Sequence, residues 1–333
     1  MKLSWEPITL DLITPFKIAH GVSERRHNVL VHLDEGIGEG AGVPYLGESQ
    51  KGIMDYLRSA SEQFSDDPIQ IENVLETLPL GSSSGRAALD IALHDLWSMR
   101  QGIPLYELLD LKSQQMPSTS LTISMDDPEK MAQSARRSGW PIIKIKLGSS
   151  DDEAIVRSIR ESTDAALRVD ANAGWTRERA AELIPRLVEY DLELVEQPLP
   201  VGDIEGLRRL RARNPGVKIF ADESIRTPQD VIDHVDAVDG VVIKLMKSGG
   251  IKPAMQMIEI ARSFDMQVML SCMVESSVGV TAAAHLASLC DYVDLDGPLL
   301  IKNDPYHGVT YQGAQLVLPD GSGLGVVERK KNQ

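Results

Sequence analysis

Three acidic residues at the ends of short apolar runs carry the first chemical signal. Asp170 closes ALRVD, Glu196 closes LELVE and Asp222 follows VKIFA, with 26 residues from each acid to the next. One more such step back reaches Lys144 in PIIKIKLG, with Lys146 beside it, and a step of 22 residues forward reaches Lys244 in GVVIKLMK. Short apolar runs alternating with helical patterns indicate repeated βαβ units and a parallel sheet. If that sheet closes into a barrel, the C-terminal strand ends face one cavity and these charges converge there. Three carboxylates in one place repel unless a cation lies between them. An all-oxygen set of that kind suits Mg²⁺ or Mn²⁺ better than zinc, which takes nitrogen and sulfur ligands more readily.

Residues two apart in a strand share a face, which pairs Lys144 with Lys146, Asp170 with Asn172 and Asp294 with Asp296. A KxK pair alone reads as two solvated lysines on an edge. Here Ile142, Ile143, Ile145 and Leu147 surround the pair. Burial lowers the cost of deprotonating a lysine and makes a usable base. Lys244, four strands further on, is expected across the barrel mouth from Lys146. Two amines flanking one bound carbon are what removing a proton from a stereocentre and returning it on the other face requires.

The elements that must hold these groups can be read in order. A chain of 333 residues accommodates a barrel of roughly 250 residues or fewer together with a smaller domain. Residues 1 to about 36 alternate as strands, LSWEPITLDLI and NVLVHLDEG, joined by a polar loop, KIAHGVSERRHN. The irregular stretch GVPYLGESQ follows, then helical patterns at IMDYLRSASEQF and PIQIENVLETL. A long helix begins at Ser84-Gly85 and ends at Gly102 and Pro104. Residues 1–112 are therefore expected to form an α+β capping domain, completed by 313–333, and residues 113–312 the barrel. Eight strands are expected, at STSLTI, IIKIKLG, ALRVDAN, LELVEQP, VKIFADE, GVVIKLM, QVMLSCM and DYVDLDG.

With a net charge of −15, the chain lacks the basic surface that phosphate backbones or anionic membranes need. No run approaches the ~18 apolar residues of a membrane span, and the N-terminus has no signal-peptide pattern. A cytoplasmic setting is expected. Cys272 and Cys290 fit buried free thiols rather than a metal pair or a disulfide framework. His285 sits in the helical pattern VTAAAHLASL and is expected to pack rather than react. The glycines of GSGLGV precede no helix and mark a turn.

The series KIK at 144–146, DAN at 170–172, EQP at 196–198, ADES at 221–224 and IKLMKSGGI at 243–251 resembles the enolase superfamily, in its muconate-lactonising subgroup. The resemblance covers almost the whole chain. It implies an α/β fold, a modified (β/α)7β TIM-type barrel under an α+β cap, with one Mg²⁺ per subunit on Asp170, Glu196 and Asp222. Lys146 and Lys244 would act on opposite faces of the substrate α-carbon by 1,1-proton transfer through an enediolate, with Lys144 as an auxiliary. Asp294 and Asp296 resemble the pair by which dipeptide epimerases hold an α-ammonium group. The reading is epimerisation of an L,L-dipeptide at its C-terminal residue. The alternatives are o-succinylbenzoate synthase, N-acylamino acid racemase or cycloisomerase chemistry, or a non-catalytic binding protein. Phe16, His20, Tyr45 and Met273 are expected to touch substrate, with Leu46, Glu48 and Glu275 as further candidates and core packing the expectation for Met269. The place where Ala-Glu epimerases typically carry an Arg is held by Gly21; Lys17, Arg25 and Arg26 are the alternatives for that role, with a surface-facing place expected of the two arginines, and Glu24 or Glu48 is the alternative that would favour a cationic dipeptide instead. Expected partners are a dipeptide and further copies of this chain, with no nucleic acid and no membrane.

Overall fold

The computed structural model describes residues 1–62, 71–112, 116–213 and 216–330. Polar–apolar alternation at the N-terminus produces an antiparallel sheet of β1 (Leu3–Ile18), β2 (Gly21–Leu33) and β3 (Gly36–Ala41). The polar loop expected over 17–28 is instead mostly strand, since Phe16 pairs with Ser23 and Lys17 with Val22 around a tight turn at Ala19 and His20. Backbone pairing overrides side-chain polarity there, as it does on any sheet face not packed on a core. The register slips between Asp11 and Phe16, setting the hairpin tip apart from the base of the sheet.

Strand β3 has no counterpart among the expected elements, because GIGEGA reads as turn-forming. Helices α1 (Gln50–Ser61), α2 (Ile71–Thr77), α3 (Ser83–Gln101) and α4 (Leu105–Leu108) follow. The helical patterns expected at 53–64 and 68–78 include residues 63–70, which lie outside the described residues. A Cβ at Gly36, Gly38 or Gly40 would stand 2.5, 2.0 or 2.7 Å from the carbonyl oxygens of Ala92, Ala88 and Ser84. Two strand residues advance about 6.6 Å and four helix residues about 6 Å, so alternate glycines and every fourth helix residue mesh along their length. Ser82 caps α3 by accepting from Gly85 N (2.9 Å), and Gly102 ends it with φ 72°.

The barrel alternates strand and helix: β4 (Leu121–Ile123), α5 (Pro128–Ser138), β5 (Ile142–Lys146), α6 (Asp152–Ser162), β6 (Ala166–Asp170) and α7 (Arg177–Val188). It continues with β7 (Leu192–Glu196), α8 (Ile204–Ala212), β8 (Lys218–Ala221), α9 (Pro228–Asp233), β9 (Gly240–Lys244), α10 (Leu245–Ser248) and α11 (Ile251–Ser263). The last members are β10 (Gln267–Ser271), α12 (Ser277–Ala284) and β11 (Tyr292–Asp294). Neighbouring strands follow chain order, and a parallel bridge between Thr119 and Val293 closes the ring. A short 3-10 turn, Gly297–Leu300, stands where an eighth helix would, giving (β/α)7β.

Leu194, Phe220, Val242 and Met269 form one buried cluster inside the barrel, so Met269 packs in the core as expected. Helix α3 docks on the barrel through Asp90, whose carboxylate accepts from Ile251 N at 2.5 Å. The final segment touches both parts: Gly323 exchanges hydrogen bonds with Ile103 and Leu105, while Ala314 O accepts from Thr119 N. His285 packs as expected, its Nδ1 accepting from Tyr106 N (3.2 Å) and its Nε2 donating to Leu324 O (3.3 Å). Both cysteines are free, Cys290 buried and Cys272 half-buried. No helix among the described residues is long and apolar enough to cross a membrane.

Candidate active site

Parallel register brings the charges to one level. Lys146 is the direct neighbour of Asp170, and Asp170 of Glu196; on the far side Lys244 neighbours Ser271, and Ser271 neighbours Asp294. Asp222 follows β8 at once. Asp170, Glu196 and Asp222 are all buried and each offers an oxygen within 4.8 Å of the others.

Every lysine of the group meets an acid. Lys146 Nζ lies 2.6 Å from Asp170 Oδ2, and Lys244 Nζ 2.6 Å from Asp222 Oδ2, on strands half a barrel apart. Lys144 Nζ donates to Asp294 Oδ2 (2.7 Å) and to Glu196 Oε1 (2.9 Å). It also stands 2.8 Å from Glu196 Oε2, but out of alignment, so that oxygen is buried without a donor. Lys247, one turn into α10, donates to the side chain and backbone of Asp222. Sequence reading gave Lys247 no role; its signal is the helix that starts directly after β9 and turns the fourth residue of KLMK back towards Lys244.

Burial opposes charge throughout this cluster, and the balance differs by position. Desolvation and the nearby Asp170 hold Glu196 well above the usual carboxylate range. At Asp222 burial is outweighed by Lys244 and Lys247, which hold it well below. Burial was expected to lower the lysines; at Lys144 and Lys244 it is outweighed by Asp294 and Asp222 respectively, and both are raised. Burial does prevail at Lys247, which is lowered. Burial and Asp222 push Glu223 to about 7.

The strand ends are held by left-handed turns at Asn172 (φ 43°), Ala173 (φ 60°) and Gln197 (φ 35°). Such non-glycine conformations cost about 1–3 kcal/mol each and persist where surroundings enforce them. Gln197 Oε1 accepts from Asp222 N (2.8 Å) and Ser224 N (3.2 Å), while its Nε2 donates to Leu199 O (2.8 Å), tying the end of β7 to that of β8. Asn172 donates to Glu223 Oε1 (3.0 Å), leaving Asn172 Oδ1 and Glu223 Oε2 buried without partners.

Phe16, Tyr45, Met273, Asp294 and Asp296 line one cavity with the three lysines. His20 lies outside it, stacked on Tyr45 at 4.7 Å with Nε2 2.9 Å from Asn172 O, so it fastens the hairpin tip to β6. Glu48 is turned away, accepting from Ser82 Oγ (2.5 Å) and Ser83 N (2.9 Å) at the start of α3. Leu46 offers its carbonyl to Arg226, and Glu24 lines a separate outer groove. Arg25 faces solvent and pairs with Asp11 at 2.9 Å. Arg26 departs from expectation: it lines the cavity, because the extended strand alternates faces. The cavity holds about 50 Å³ and shares Phe16, Thr122 and Leu300 with an outer cavity of about 500 Å³.

Asp294 accepts from Ser120 (2.6 Å), Lys144 (2.7 Å) and Ser271 (3.0 Å), whereas Asp296 takes Thr122 N (2.6 Å). Burial and Asp294 push Asp296 to about 6. The triad offers only carboxylate oxygens, one of them without a donor, and no sulfur or imidazole among its members. That donor set fits a hard divalent cation.

A closed parallel barrel under an α+β cap, with three acids between lysines at its mouth, defines an enolase-superfamily protein. Residues 7–110 match the mandelate racemase / muconate lactonizing enzyme N-terminal domain, and residues 127–331 the enolase C-terminal domain-like family. The chain belongs to this family. It is 35% identical to an L-Ala-D/L-Glu epimerase of Bacteroides thetaiotaomicron, over 98% of this chain and 88% of that one. A dipeptide epimerase from Cytophaga hutchinsonii, complexed with Mg and the dipeptide D-Ala-L-Val, superposes with a TM-score of 0.93 at 32% identity, covering 98% and 95% of the two chains. One from Enterococcus faecalis, complexed with Mg and L-Leu-L-Tyr, gives 0.91 at 33%, covering 98% of each.

Proposed function

We infer that the protein is a Mg²⁺-dependent dipeptide epimerase that inverts the α-carbon of the C-terminal residue of an L,L-dipeptide. The observation that carries this reading is the placement of Lys146 and Lys244 on opposite barrel walls, each on a member of the acidic triad. A divalent cation on Asp170, Glu196 and Asp222 would take up the carboxylates' charge, free the two amines and neutralise the charge developing on the substrate carboxylate. Lys146 and Lys244 then divide the work: one removes the α-proton, and the other returns a proton to the opposite face of the planar carbon. Lys144 stays locked between Asp294 and Glu196, adding fixed positive charge beneath the reacting group. Asp296 has more capacity left than Asp294 and takes the α-ammonium group. The apolar layer of Leu194, Phe220, Val242 and Met269 keeps water from rising through the barrel.

Incubation with a panel of L,L-dipeptides in D₂O should place deuterium at the C-terminal residue's α-carbon. The exchange should vanish with a chelator and return with Mg²⁺. Absence of exchange with every dipeptide overturns the reading.

A further inference from the structure

Two buried carboxyl groups on the seam between cap and barrel have no part in the chemistry above: Glu39 of β3, and Glu275 in the loop after β10. Four donors converge on Glu39, as many as an ionised carboxylate accepts. They are Asn28 Nδ2 (2.8 Å to Oε1), Ser276 N (3.0 Å to Oε1), Ser276 Oγ (2.6 Å to Oε2) and Gly279 N (3.0 Å to Oε2). Glu275 has a single donor among the described residues, Met273 N at 2.6 Å from Oε1. One glycine separates the two groups: a Cβ at Gly279 would stand 2.3 Å from Glu275 Oε2 and 3.2 Å from Glu39 Oε2. Like charges that close, out of water, do not both persist, and the proton goes to the group with fewer donors. Burial and Glu39 accordingly push Glu275 to about 8, with Lys244 and Cys272 the other ionisable groups acting on it.

The same groups set the path of the loop that walls the substrate cavity. Met273 and Val274 line the cavity, and among the described residues their backbone pairs with no strand or helix. Side chains serve instead. Glu275 holds Met273 N, Asn28 Nδ2 also holds Val274 O (3.1 Å), and Glu39 holds Ser276 N and Gly279 N at the start of α12. Glu275, a candidate for touching substrate, therefore stands behind this wall and not on its cavity face. We propose that Glu39 and Glu275 form a carboxylate–carboxylic acid pair, with the proton on Glu275, and that this pair positions the Met273–Val274 wall. The ionised Glu39 then ties β2, through Asn28, and α12 to one point beside the cavity. The effect on turnover rests on the epimerase reading, whereas the pair itself does not.

The test joins infrared difference spectroscopy at neutral pH to kinetics with L,L-dipeptides, both on the Mg²⁺-loaded enzyme. Glu275→Gln should remove one carboxylic-acid C=O band from the wild-type spectrum, and Glu39→Gln should remove a carboxylate band. At Glu39 a glutamine NH₂ would face two donors whichever way it turned, so KM should rise about tenfold or more while kcat changes less. Glu275→Ala, which leaves Met273 N without its acceptor, should also raise KM by about tenfold. Glu275→Gln, isosteric with the neutral acid, should bring it back. A carboxylate band lost in Glu275→Gln overturns the pair, and this can be read even if Glu39→Gln fails to fold. Failure of Glu275→Gln to rescue, or kcat falling with KM fixed, overturns the positioning role. A wild type that turns over no dipeptide overturns the epimerase reading, and the infrared bands then decide the pair by themselves.

Discussion

On the barrel side of the cavity, Lys144, Lys146 and Lys244 each sit within 2.9 Å of a carboxylate, whereas on the cap side Arg26 has an aromatic ring and no acid. The barrel wall is electrostatically closed on itself. Its charges come from successive parallel strands, and their positions are set by register that no single side chain can alter. The cap wall is a hairpin tip beyond a register slip, fastened by His20 to the Asn172 carbonyl. One wall neutralises its own charges, and the other sets an arginine against an aromatic ring.

The largest effect should come from breaking the barrel wall. Lys146→Ala and Lys244→Ala should each lower epimerisation by about 10²–10⁴-fold. Each variant should still wash deuterium from D₂O into one epimer, and into different epimers, as followed by mass spectrometry of separated diastereomers. Equal residual exchange from both epimers in both variants would contradict the assignment of one amine to each wall.

A second experiment addresses the seam between cap and barrel, where His285, the C-cap of α12, holds Tyr106 N and Leu324 O. Burial pushes its ring down to about 4. The folded form therefore binds fewer protons than the unfolded chain between pH 4 and about 6.5. The neutral ring's contribution is complete above pH 6.5 and is lost as pH falls towards 4, a difference of about 3 kcal/mol. Thermal melts should show His285→Asn flattening the acid limb; an unchanged limb would remove His285 as its cause.

The smallest effect belongs to the fastening of the tip. His20→Ala should raise KM by about threefold to tenfold while kcat changes less, since losing one hydrogen bond costs about 1 kcal/mol. If kcat falls and KM stays, His20 works on the chemistry and not on the tip.

The two walls also differ in how far they could be read from the chain. Asp170, Glu196 and Asp222 were legible because a buried strand is a short apolar run and the acid ending each recurs every 26 residues. Lys247 was not, since its position depends on α10 beginning without a loop, which periodicity over four residues cannot reveal. Gln197 and Asn172 act through left-handed backbone that their residue types only weakly suggest. In the cap, Gly36, Gly38 and Gly40 look like turn residues until α3 is laid against them, and Arg26 looks solvated until the hairpin's pairing fixes its face. Local polarity misleads wherever long-range contact decides which side of a strand is inside.

The glycine-to-helix mesh has a bearing on how selectivity could be remodelled. No side chain, not even a methyl group, fits between the base of the sheet and α3, so the base tolerates almost no variation and must travel with the helix as one piece. The hairpin tip past the slip carries no such restriction. A laboratory library confined to the tip would therefore sample new substrate preferences on a chassis whose alignment with the barrel it leaves untouched.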